Sequence, residues 1–175
     1  MGAYYEAAFE EDKIRFNTHD CDNGLKLMEH SYIGNTYVNS IEAKLINNPK
    51  KLVWLCDYHE KNKRTLLTWD TTNEESYKIV KDLTTKRIIV NHSKREFINI
   101  AKLKELYKKA GVTKHLVHPL PILCNSDEHS QGGGDYRFDN RRSSWCEDKI
   151  EVILDVIKYE DYNDVTEKSL FFELV

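Results

Sequence analysis

The sequence predicts an α+β domain built on a mainly antiparallel sheet, with about three helices. Three observations lead there. Short apolar runs come in pairs joined by tight polar turns, the pattern of hairpins rather than of βαβ crossovers. Between those pairs lie segments whose apolar residues recur at helical spacing. No repeat, low-complexity tract or linker divides the 175 residues, so residues 1–175 are expected to share one core. A chain of this length withdraws roughly 70% of its unfolded surface from water.

AYYEAAF (3–9) and DKIRFN (12–17) alternate in face and are joined by acids, which predicts an opening hairpin. Val38, Ile41 and Leu45 recur at helical spacing until Asn47-Asn48-Pro49 stops them, predicting a helix over 36–45 that begins as early as Leu25. LVWLC (52–56) suits a buried strand with Cys56 as a core thiol, and TLLTW (65–69) is expected to pair with it across HEKNKR. Thr72 or Asn73 then offers a cap to a second helix, with Glu74 and Glu75 in its first turn and Tyr77, Val80 and Leu83 inward. RIIV (87–90) and EFINI (96–100) flank a hairpin turn at Asn91-His92-Ser93-Lys94. Leu103, Leu106 and Tyr107 mark the third helix, closed by Gly111. Residues 112–144 hold two prolines and three consecutive glycines without regular pattern, and loops of that length are uncommon unless functional or disordered. IEVILDVI (150–157) reads as a strand, and SLFFELV (169–175) as a last strand or short helix.

The net charge of −3 conceals a division along the chain. Residues 50–114 hold sixteen bases against eight acids, whereas 1–24 hold six acids against two bases and 147–175 nine against three. Either the acidic ends lie across the basic middle, or the middle is an exposed face for an anionic partner. The overall acidity argues against a protein that simply coats DNA. The opening residues lack the basic start and apolar run of a secretory signal, and no window reaches the ~18 apolar residues of a membrane span. The expected compartment is the cytoplasm, with no membrane partner and the four cysteines reduced.

The long loop holds the candidate sites. Gly132, Gly133 and Gly134 can bring backbone N–H groups close to an anion, and Arg137, Arg141 and Arg142 can clamp phosphate or carboxylate, which suits a nucleotide or nucleic acid. No P-loop or GxGxxG accompanies them, and the competing reading is a plain turn with solvated arginines. His118, Cys124, Asp127 and His129, with His115 and Asp135 nearby, are candidate ligands for zinc or another divalent cation, although no CxxC pair or HExxH supports them and the default expectation is no cofactor. Cys124 with His118 or His129 is a conceivable nucleophile–base pair, and no GxSxG elbow or kinase set is present. Tyr4, Tyr5, Tyr32, Tyr37, Tyr58, Trp69, Tyr136 and Trp145 suit the edge of a core as well as base stacking or a protein contact.

MGAYYEA, GLKLMEHSYIGN (24–35) and HPLPILCNSDEHSQGGGDYR (118–137) followed by SSWCEDKIEV resemble small proteins of phages and prophages in low-GC bacteria. That group brings no assigned activity, so no residue role is carried over. The resemblance implies a cytosolic binding protein that inhibits a host protein or an anti-phage defence protein by contact, without catalysis. Two other functions follow from the residues: a nucleotide or nucleic-acid binder, including one that sequesters a signalling nucleotide, and a metal-dependent phosphodiesterase or nuclease. Edge strands near either terminus would also allow a homodimer.

Overall fold

The structure is a computed structural model that describes residues 2–58, 64–129, 132–136, 140–154 and 159–172. Its strands, in chain order, are β1 (Tyr5–Phe9), β2 (Ile14–Arg15), β3 (Lys50–Cys56), β4 (Asn73–Glu74), β5 (Arg87–Asn91), β6 (Glu96–Asn99), β7 (Lys149–Leu154) and β8 (Asn163–Asp164). They form one sheet in the order β4-β2-β1-β3-β7-β5-β6-β8. The interior pairs are antiparallel and only the two-residue edge strands run parallel to their neighbours, which makes the α+β sheet mixed at its margins. Among the described residues four α-helices accompany it: α1 (Leu27–His30), α2 (Thr36–Lys44), α3 (Ile100–Lys109) and α4 (Pro119–Leu123).

Alternation along the strands sorts residues between two faces. Tyr5, Ala7 and Phe9 of β1, Leu52, Trp54 and Cys56 of β3, and Ile150 and Val152 of β7 join Val38, Ile41, Leu103, Tyr107 and Leu123 from the helices in one core. Ala7 lies opposite Trp54, so the smallest side chain makes room for the largest. Trp54 is fully buried, and its indole N–H donates to His30 Nε2 at 2.9 Å. His30 must then carry its proton on Nδ1, which faces the Gly24 carbonyl at 3.0 Å. The opposite sheet face carries two smaller clusters, Ala8, Val53, Leu55 and Leu67 in one and Ile88, Val90 and Ile153 in the other.

The opening hairpin, the helix over 36–44 and the hairpin of β5 and β6 form where the sequence predicts them; of the strand expected over 150–157, residues 150–154 lie in β7 and 155–157 lie outside the described residues. Gly34, at φ +91°, separates α1 from α2, and the Asn35 side chain accepts from Tyr37 N and Val38 N; the single helix begun near Leu25 is therefore two. Gly111 turns the chain after α3 at φ +80°. The other departures have physical causes. TLLTW does not pair with β3, because both edges of β3 are occupied: β1 takes one, and β7 with the Trp54–Asn125 bridge takes the other. Leu67 packs flat on Val53 and Leu55 instead.

The helix expected from Thr72 is absent. Asn73 and Glu74 pair with β2, Arg15 and Asn17 hold the Glu74 carboxylate, and the backbone beyond is tied to α2 by side chains. The loop of 112–144 is in part a buried thread: α4 lies inside it, Trp54 N donates to Cys124 O at 2.7 Å, and Ser126 N donates to Trp54 O at 2.9 Å. Of SLFFELV, expected as a last strand or short helix, Ser169 ends a 3₁₀ turn, Glu167–Ser169, residues 170–172 are irregular, and residues 173–175 lie outside the described residues. Ion pairs join acidic ends to basic middle, as in Lys50–Asp12, Lys94–Asp148 and Lys102–Asp164. No helix among the described residues is long and apolar enough to cross a membrane.

Candidate functional site

His118 precedes the prolines of α4, and its Nδ1 accepts from Leu120 N at 3.2 Å, so the helix start fixes the ring. A nitrogen that accepts has no proton; Nε2 therefore carries it and donates to Glu42 on α2. Glu42 also receives Arg87 Nε and, at 3.2 Å, Nη2. The three side chains are essentially without solvent exposure. Burial pushes the Glu42 carboxyl up, but His118 and Arg87 outweigh it and hold the group below the usual carboxylate range. Burial lowers the His118 pKa, and Glu42 offsets this only in part. The chain of contacts is a neutral histidine on an arginine–carboxylate pair, and it bolts α2, β5 and α4 together.

Arg142 is likewise internal. It meets Asp135 through both oxygens, at 2.8 and 3.0 Å, and also donates to Asp127 O (2.8 Å), Tyr136 O (3.3 Å), Tyr5 Oη (3.1 Å) and Asn125 Oδ1 (3.3 Å). Tyr5 Oη donates in turn to Asp135 Oδ2 at 2.8 Å, its own pKa raised first by burial and then by Asp135. Arg141 reaches Lys168 O and Ser169 Oγ, both at 3.1 Å. The glycines permit close approach: Gly134 O accepts from Met28 N at 2.9 Å, and a Cβ on Gly2 would overlap the Gly133 carbonyl. Gly132 is exposed, and Arg137 lies outside the described residues. Arg142 thus spends its fork on Asp135 and four other oxygens, so among the described residues the glycines, Arg141 and Arg142 do not converge on an open anion site; Arg142 instead ties the segment to Tyr5 of β1.

The candidate metal ligands do not gather either. His118 is committed to Glu42, Cys124 is in the main core, Asp127 is buried beside Cys56, and His129 is exposed. Among the described residues no group of three His, Cys, Asp or Glu could hold a metal ion. Burial pushes the Cys124 thiol well up, which opposes the thiolate a nucleophile needs.

Two exposed features emerge that sequence reasoning did not single out. The first is Leu66, 97% exposed between fixed neighbours. Arg64 pairs with Glu128 at 2.6 Å, Thr65 Oγ1 donates to Glu147, and Leu67 is buried on Val53 and Leu55. The other is a cleft of about 100 Å³ above Arg87, bounded by Gly34, Asn39, Lys81, Thr85 and Lys104. Two adjacent leucines in TLLTW do not say which one faces water, and the cleft depends on residues far apart in the chain, so neither had a signal in the sequence. Compared with known proteins, the chain matches no family model, no curated protein and no solved structure.

Proposed function

We propose that this is a phage-type binding protein, working in the cytoplasm of a bacterial host, that inhibits a host or anti-phage defence protein by direct contact and without turnover. The observation supporting it is the mounting of Leu66. A large apolar side chain held in water costs free energy, and here the backbone on both sides is pinned, so docking it would order little that is not already ordered. Burying one leucine contributes about 2 kcal/mol, or roughly 30-fold in affinity. The reading requires no cofactor.

The test is affinity purification from host cells with and without the defence system, followed by native mass spectrometry of the recovered complex. A defined stoichiometry that Leu66→Asp weakens by at least tenfold, with an unchanged melting temperature, is the expected result. Equal recovery by the variant, or multiple-turnover conversion of the partner, would overturn the proposal. The same spectra report any homodimer.

A further inference from the structure

The geometry points to a separate, independent site: the cleft above Arg87 binds the phosphate of a small-molecule phosphomonoester. The cleft of about 100 Å³ shares Thr85 and Lys104 with a wider one of about 310 Å³ that extends over Ala101, Lys102 and Glu105. Among the described residues Lys81 and Lys104 enter no ion pair, whereas their neighbour Lys102 is held by Asp164 at 2.9 Å. Two lysines lining one small cleft bring like charges into one neighbourhood, and an anion between them lowers that cost. The only exposed carboxylate lining the same cleft, among the described residues, is Asp82. Beneath them lies Arg87, with three of its five N–H donors taken by Glu42 and Thr84 among the described residues.

The wall carrying Lys81 is built rather than loose. Asn39 Nδ2 on α2 donates to Lys81 O at 2.8 Å, and Val80 N donates to Ser40 Oγ at 2.8 Å. Lys81 and Lys104 from two walls, with Thr85 between them, offer donors from more than one direction, and the buried Arg87 adds positive charge from below, which suits a dianion. The wider cleft, with Ala101 and the lysine stems, has room for the organic part. None of these residues belongs to the Gly132–Gly134 segment or to the Leu66 mount.

The experiment is calorimetric titration of the whole chain at low ionic strength with AMP, ribose 5-phosphate and inorganic phosphate, repeated on Lys81→Ala and on the double variant Lys81→Ala/Lys104→Ala. Thermal unfolding checks the fold, and Leu66→Asp serves as a bystander. The site is supported if AMP or ribose 5-phosphate binds saturably and more tightly than inorganic phosphate, the double variant loses at least tenfold, and Leu66→Asp binds as the parent does. Preference for AMP over ribose 5-phosphate identifies a nucleotide; parity identifies a sugar phosphate or similar ester. The assignment is overturned by the absence of saturable binding, by affinity unchanged in the folded double variant, or by inorganic phosphate binding as tightly as either ester.

Discussion

Residues 118–145 and residues 73–86 contrast in an instructive way. The stretch 118–145 holds the glycines, arginines, histidines and cysteine that suggest chemistry, and the structure takes three of them inside: Arg142 on Asp135, His118 on Glu42, Cys124 in the core. The stretch 73–86 has the pattern of an ordinary amphipathic helix, yet it lies irregularly along α2 and raises Lys81 and Thr85 over a cleft. Residue type alone therefore does not say which charged side chains face water in either stretch. A charge is a site when its fork or ammonium is left for solvent, and a structural element when other parts of the chain have claimed it.

Removing the claimed charges gives the largest effects. Arg142→Ala leaves the buried Asp135 without its cationic partner, and a loss of about 3–5 kcal/mol is expected in urea unfolding. A loss under about 1 kcal/mol would make Arg142 an available anion ligand again. Glu42→Gln is expected to cost about 3 kcal/mol, because Arg87 keeps its charge in a dry interior. A destabilisation no larger than that of a surface change would break the account of the buried chain.

The pH response tests the same interior. His30 ionises at about 4 in the folded chain against an ordinary 6.5, and burial lowers His118 in the same direction. Between those two values the unfolded chain holds a proton that the folded chain refuses. Stability is thus expected to fall as pH drops from about 6.5 toward 4, by roughly 3 kcal/mol from His30. Urea midpoints across that window measure it, and His30→Gln is expected to flatten the slope. The smallest effect concerns the cleft wall: Asn39→Ala removes the bond to Lys81 O, and about 1 kcal/mol with faster amide exchange around residues 80–82 is expected. Unchanged exchange would mean that α2 does not hold that wall.

Local signals were legible wherever the element satisfied itself. Asn47-Asn48-Pro49 after one apolar stripe, Gly111 after another, and a polar turn between RIIV and EFINI read directly as helix stops and a hairpin. Signals failed where a third party intervened. Nothing in TLLTW says that both edges of β3 are already occupied, and nothing at Thr72 says that Arg15, Asn39 and Ser40 will hold the following segment extended. The candidate site shares this limit, since Lys81 and Lys104 lie on different elements and meet only across a cleft.

By itself the sequence determined the α+β class, the positions of the opening and β5–β6 hairpins and of α2 and α3, and a division of charge between acidic ends and basic middle. These follow from period, caps and charge, all of which act over a few residues or over the whole chain. The tertiary structure alone decided which charged side chains would be buried in pairs and which would stay in water. That choice turns on who reaches a given carboxylate first across 45 residues, as Arg87 reaches Glu42, or 76, as His118 does. A linear pattern holds no record of such distances.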